Sequence, residues 1–211
     1  PKFVDGLRVT TEEVLEVVEH VLTGSINKKI VTKVQLSDGV GIGLSGVDGE
    51  LLKVKPQDPT GKLGFVGEVE KVNKDWIEVI VKNGAIPVIS PIGIHYSGQH
   101  YNINGDAAAA AVAEALQAKL ARIRDIRGVW GAVKGQKIVL PKLTKTDIEE
   151  KISNGVIYGG MIPKVHSALK AVAGGVKESV ILNGLTPDDL KLYIAGENVG
   201  TKIVMGEVQH V

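Results

Sequence analysis

Apolar residues recur at Val14, Leu15, Val17, Val18, Val21 and Leu22, the spacing of one helical face, with charged residues between them. Thr10 and Glu13 stand ahead of this run at the capping-box interval, so the pattern predicts a capped amphipathic helix over residues 10–22. Gly24 reads as an interruption, and a second helix is predicted near residues 27–35. The period then shortens to that of strands at 40–46 and 51–55. A polar stretch rich in Pro and Gly runs to Gly64, and a further strand is predicted over 66–72. A helix is predicted over 75–81, a short apolar strand over 85–89 ending at Ser90-Pro91, and an alanine-rich helix over 106–116. Beyond it come a strand at 120–126, a hairpin-like VKGQKIVL, and helices at 145–152 and 163–173. Apolar runs at 179–182 and 201–205 flank a short helix near 187–192. Strands alternating with helices throughout predict an α/β fold with a largely parallel sheet.

Composition narrows the function classes. The chain has 211 residues, 44% of them hydrophobic, enough to bury a sizeable core as one domain or two closely packed lobes. A formal charge of +1 supplies no global field for nucleic acid or a membrane surface, so small molecules and other subunits are the expected partners. Cysteine is absent, which excludes disulfides, thiol nucleophiles and thiolate metal sites. No apolar run reaches the roughly 18 residues of a membrane span and the start has no signal-peptide layout, so a cytoplasmic protein is expected.

The candidate chemistry sits where strands give way to helices, the usual ligand edge of such sheets. In GVIYGGMIPKVHSALKAVAGG, Lys164 falls in the first turn of a predicted helix. A cation there costs about 0.3–1 kcal/mol unless an anion offsets it. Two anions fit: a neighbouring carboxylate, or a bound phosphate approached closely by the backbone at Gly159 and Gly160. Pro163 suits the same turn, where a missing N–H is harmless. In YNINGDAAAA, Asp106 heads a helix and reads either as its N-cap or as a carboxylate that orients lysines. Asn102, Asn104 and Asp106 alternate at spacing two, so an extended backbone would aim all three to one side. Arg8, just ahead of the first helix, is either a solvated cation or a clamp for a substrate carboxylate. Arg122, Arg124 and Arg127 near Trp130 make a locally basic segment, read as a nucleotide-edge loop or an exposed strand rather than a single-strand binding surface. The five histidines show no metal-ligand spacing.

Taken in order, FVDGLRVT, SGVDGELLK, IPVISPIG, YNINGD, GVIYGGMIPKV and the late GTKIV resemble successive motifs of the amino acid kinase family, and within it of the N-acetylglutamate kinases, across essentially the whole chain. The resemblance implies a three-layer α/β sandwich with a largely parallel central sheet. It implies an amino-acid-binding and dimerisation lobe over residues 1–104 and a nucleotide-binding lobe over 105–211. The implied reaction is ATP-dependent phosphorylation of the side-chain carboxylate of N-acetyl-L-glutamate to N-acetyl-L-glutamyl 5-phosphate, in arginine biosynthesis, by direct transfer. Lys164 matches the family lysine that stabilises charge on the moving phosphoryl group, and Asp106 the carboxylate that organises the catalytic lysines. Arg8 and Asn102 match residues that hold the acetylated amino acid. Asp125, Ile126, Arg127, Gly128, Val129 and Trp130, with Val156, Ile157 and Tyr158, match segments lining the nucleotide site. Mg²⁺ is expected on the ATP phosphates, with no protein metal site, and a homodimer is expected through the helix at 10–22.

The chain also departs from the family pattern. The family's opening strand with its Lys-x-Gly-Gly loop, and a second His-Gly-Gly-Gly loop, are not in this sequence, so more polypeptide is expected before Pro1. The usual Asn-Ala-Asp triplet reads Asn104-Gly105-Asp106, and Tyr158 stands where a small hydroxyl residue is common. Arg122 and Arg124 share one face of a strand that is normally apolar. Burying two unpaired guanidinium groups is too costly, so that strand is expected to be partly exposed or paired with acids. Two further readings stay open: a sister kinase acting on carrier-linked aminoadipate or glutamate, and a catalytically silent module for oligomerisation or regulator binding.

Overall fold

The computed structural model describes residues 3–4, 7–133, 136–186 and 188–206, with side chains for 9–131, 138–186 and 188–206. The fold is α/β, and the chain divides into two compact units, Pro1–Val112 and Ala113–Val211.

The first unit opens with an antiparallel pair of two-residue strands, β1 (Phe3–Val4) and β2 (Leu7–Arg8). Helix α1 (Glu12–Glu19) follows, a π-helical segment spans His20–Ile26, and α2 (Asn27–Gln35) continues from it. Gly24 therefore does not end a helix. The wider π turn absorbs it, and the chain stays helical from residue 12 to residue 35. The cap also differs from the sequence reading by one residue. Thr11 accepts the Val14 N–H at 3.3 Å, whereas Thr10 is fully buried in a parallel bridge to Gly64.

Strands β3 (Gly41–Ser45) and β6 (Ile86–Ser90) pair in parallel under α2. Between them in sequence lie a short 3-10 turn at Asp48–Glu50, β4 (Leu52–Pro56), β5 (Val66–Val72) and α3 (Lys74–Lys82), which packs on β6. Strands β7 (Ile92–Ile94) and β8 (His100–Ile103) close a small barrel with β4 and β5. Its fill is Leu52, Val54, Ile92 and Ile103, all buried. Helix α4 (Gly105–Ala115) leaves β8 after a single residue, Asn104.

The second unit is built on a four-stranded sheet of β9 (Leu120–Arg124), β13 (Ser179–Asn183), β14 (Thr201–Ile203) and β12 (Lys142–Leu143). Strands β9 and β13 run in parallel, as do β12 and β14, while β13 and β14 are antiparallel. An antiparallel pair, β10 (Trp130–Val133) and β11 (Gln136–Val139), stands apart. Helices α5 (Lys145–Ser153) and α6 (Met161–Ala173) cover the sheet, and α7 (Asp189–Ile194) lies against β13. The core comprises Val129, Leu143, Ile148, Ile157, Val165, Ala168, Val172, Ile181 and Ile203. Its α6 members follow the helical period visible in the sequence. Pro187, placed in a predicted helix, lies outside the described residues.

The basic strand resolves unevenly. Arg122 is 5% exposed while Ile123 beside it is 51% exposed, and Arg124 is half-buried. The Arg122 guanidinium donates to the Ser179 hydroxyl on β13 and to the Ser167 carbonyl on α6, the latter at 3.2 Å. Burial is tolerated because strand and helix both present acceptors to the cation.

Candidate functional site

In the first unit the candidate residues gather around the ends of β2 and β8. Arg8 is the last residue of β2, and its side chain lies outside the described residues. Two residues on, the Thr10 N–H donates to the Leu63 carbonyl at 3.0 Å and its carbonyl accepts from the Phe65 N–H at 2.8 Å. Asn102 is half-buried on β8. Its backbone N–H donates to the Phe65 carbonyl at 2.9 Å, and its side-chain Nδ2 donates to Thr10 Oγ1 at 3.3 Å.

Asn104 Oδ1 accepts the backbone N–H groups of Asp106 at 3.0 Å and Ala107 at 3.2 Å. Asn104 is thus the helix cap, and Asp106 sits inside the first turn of α4, half-buried. The strand ends at Ile103, so Asn102, Asn104 and Asp106 do not alternate along one extended backbone. The turn at Asn104 leaves Asn102 on the strand and Asp106 on the helix.

In the second unit the segment from Asp125 to Val129 bends away from the end of β9. Asp125 and Arg127 are exposed, Ile126 is half-buried, and Gly128 is buried. Val129 is fully buried, and its N–H donates to Thr201 Oγ1 at 2.8 Å. Trp130 opens β10, half-buried. Ile157 is a core residue, Val156 is half-buried beside it, and Tyr158 is 75% exposed. The buried members of these two segments can meet a ligand only through their backbone, and the exposed ones through their side chains.

Lys164 occupies the first turn of α6, half-buried, and makes no hydrogen bond or ion pair among the described residues. A cation beside free helix N–H groups leaves that end of α6 suited to an anion. The preceding loop is open. Gly160 has an ordinary φ of -65°, and a Cβ there would meet nothing within 4 Å, so neither backbone conformation nor packing demands glycine. A bare glycine with no packing reason, at the head of a helix carrying an unneutralised lysine, is the arrangement that lets backbone N–H groups approach a phosphate.

A cavity of about 360 Å³ lies at the C-terminal ends of the parallel strands β9 and β13. Arg127, Asn183, Thr186, Asp189 and Asn198 line it. The sequence reading reached Arg127 but not the others, which are dispersed polar residues with no local motif. Among the described residues there is no group of three or more His, Asp or Glu side chains that could hold a metal ion, and no helix long and apolar enough to cross a membrane.

Comparison with known proteins bears on the family and the fold. The family model described as the amino acid kinase family matches residues 1–183. Acetylglutamate kinase of Oceanobacillus iheyensis is 55% identical over 210 residues, covering 100% of this chain and 79% of that protein. The crystal structure of smu.665 from Streptococcus mutans UA159 superposes with a TM-score of 0.76 at 33% identity, over 97% of this chain and 77% of that one. N-acetylglutamate synthase of Neisseria gonorrhoeae, complexed with coenzyme A and N-acetyl-glutamate, shares the fold at a TM-score of 0.80 and 24% identity, over 98% of this chain and 47% of that one. With the family model spanning most of the sequence and a relative matched along all of it, the chain belongs to the amino acid kinase family.

Proposed function

We propose that this chain phosphorylates the side-chain carboxylate of N-acetyl-L-glutamate with ATP, forming N-acetyl-L-glutamyl 5-phosphate and ADP in arginine biosynthesis. The observation that carries the reading is the 55% identity, over the full chain, to an acetylglutamate kinase. The chemistry is one of positioning and charge stabilisation. A carboxylate oxygen attacks the γ-phosphorus as the bond to the β-phosphate oxygen breaks. No proton needs to move, because the acceptor is already ionised at neutral pH.

In this reading Lys164, at the head of α6, stabilises the negative charge spread over the transferring phosphoryl group. Asp106 organises the lysine cations around that group. Arg8 clamps a substrate carboxylate, and Asn102 holds the acetylated amino acid from β8. Asp125, Arg127 and Tyr158 offer exposed side chains to the nucleotide, while Val129, whose N–H donates to Thr201 and whose carbonyl accepts from Leu140, and Ile157, whose N–H donates to the Lys151 carbonyl, hold the two segments in place. Mg²⁺ enters as part of the substrate, carried on the ATP phosphates. A cytoplasmic homodimer completes the proposal. Val17 on α1 and Val21 in the π-helical segment are 60% and 43% exposed, which supports a self-complementary contact along that helix.

The test is a two-part assay on the intact polypeptide. Supplied with ATP, Mg²⁺ and N-acetyl-L-glutamate, it should release ADP, and hydroxylamine should trap the acyl phosphate as a hydroxamate in equal amount. ADP release that depends instead on carrier-linked aminoadipate, or none with any acceptor, would sink the assignment.

A further inference from the structure

Thr10 is 0% exposed, although its hydroxyl is polar and its place in the sequence suggested a helix cap. The Thr10 N–H and C=O are both taken by the chain at Leu63 and Phe65, which makes it a fixed point in the first unit. The partner of its Oγ1 is the side chain of Asn102, 92 residues away in sequence, which donates through Nδ2 at 3.3 Å. The other end of that amide, Asn102 Oδ1, accepts no hydrogen bond among the described residues. Thr10 is also two residues beyond Arg8, so one buried hydroxyl ties together the two segments that carry Arg8 and Asn102.

The consequence lies in which end of the amide faces a ligand. N-acetyl-L-glutamate presents two carboxylates and an acetyl carbonyl, all acceptors, and a single donor, the acetamido N–H. An asparagine that spends one of its two Nδ2 N–H groups on Thr10 is held in the orientation that leaves Oδ1 able to accept that one donor, with the second N–H available to a substrate acceptor. We propose that Thr10 is a positioning residue: its hydroxyl holds the Asn102 amide in the orientation that reads the acetamido N–H of the substrate. The proposal rests on the assignment of Asn102 to substrate binding made above. It adds a specificity rule, that the acceptor substrate must carry an N–H at this position.

The probe is the oxygen ester of the substrate, 2-acetoxyglutarate, which keeps every acceptor and replaces N–H by oxygen. The wild-type enzyme should use it with kcat/KM lowered by roughly tenfold or more, since the Asn102 oxygen is left facing an acceptor. Thr10→Val, close to isosteric, should raise KM for N-acetyl-L-glutamate several-fold with kcat and KM for ATP unchanged, and should shrink the ester penalty. Thr10→Ser should restore both. Asn102→Ala tests the underlying assignment separately: an unchanged KM there removes Asn102 from the substrate site. The Thr10 proposal itself is overturned if the wild-type enzyme uses ester and amide equally well, a result that needs no variant to fold. It is also overturned if Thr10→Val loses the same factor on both substrates, because a merely structural role would lower both together.

Discussion

Thr201 Oγ1 accepts the N–H of Val129 at 2.8 Å and donates to the carbonyl of Leu140 at 2.7 Å. One fully buried hydroxyl on β14 thereby fixes the end of the 125–129 segment and the chain leaving β11. Thr201→Val keeps the shape and removes both bonds, leaving a buried N–H and a carbonyl without partners. The expected loss is about 1–3 kcal/mol of stability, read from urea unfolding, together with a raised KM for ATP and an unchanged KM for N-acetyl-L-glutamate. An effect on the amino acid alone would separate Thr201 from the nucleotide segment.

Lys164→Met should lower kcat on the order of 10²-fold or more while leaving KM for N-acetyl-L-glutamate nearly constant. The charge matters most while the phosphoryl group is in transit, and methionine keeps much of the aliphatic bulk. Steady-state kinetics decide it. Turnover close to wild type would return Lys164 to the role of an ordinary surface cation.

The reading of the sequence was reliable where information is local and failed where it is not. Helix α6 and the alanine-rich α4 are legible because a helical period, or helix-forming composition, is present in every turn. Thr10 reads as a cap because Glu13 follows at the capping-box interval, but its partner is Asn102 on a strand far along the chain. Arg122 is too costly to bury unpaired, and the groups that accept its hydrogen bonds, the Ser167 carbonyl and the Ser179 hydroxyl, are not the acids the pattern leads one to expect and carry no signature of that task. The capping of α4 by Asn104 was missed because Asp and Asn cap equally well, and only the turn geometry chooses between Asn104 and Asp106. Strands as short as β7 and β8, three and four residues long, hold too few alternations to stand out from their surroundings. Their pairing in the barrel, not their composition, makes them strands.

Thr144 and Asp147 cap α5 reciprocally. Asp147 Oδ2 accepts the Thr144 N–H at 2.8 Å and its hydroxyl at 2.7 Å, and Thr144 Oγ1 accepts the Asp147 N–H at 3.2 Å. The backbone and then the side-chain bond from Thr144 hold the Asp147 carboxyl below its ordinary value. A depressed folded value means that the folded state binds fewer protons. The stabilisation is therefore full above the unfolded value of about 3.9 and is lost as pH falls through the folded one. Thr144→Ala should cost about 1 kcal/mol at neutral pH, and its deficit against wild type should narrow in urea melts near pH 3. A deficit of constant size would mean that the hydroxyl bond to the carboxylate contributes nothing, since the Thr144 N–H still donates to Asp147 in the variant.

Gly64 has φ +64°, and a Cβ there would stand 2.2 Å from the Thr10 carbonyl oxygen. Both the backbone conformation and the close approach demand glycine. Gly64→Ala should destabilise the protein by more than about 1 kcal/mol. By displacing Thr10 it should also raise KM for the amino acid, with less effect on KM for ATP. Thermal melts with matched kinetics test this, and a variant of wild-type stability would contradict the close approach.

The π-helical segment has a consequence for the helix before it. The Asn27 N–H reaches back five residues to the Leu22 carbonyl, the Ser90 hydroxyl donates to that same oxygen at 3.0 Å, and Asn27 Nδ2 donates to Ser90 Oγ at 3.1 Å. These three groups form a closed ring that pins the widened turn to the end of β6. A π turn holds about one residue more than an α turn, and each residue advances a helix by roughly 100°. The azimuth of everything upstream, Val17 included, is therefore indexed by Ser90. A serine hydroxyl on a neighbouring strand thus takes part, with the packing of α1 on β8, in setting the direction in which α1 presents its valines.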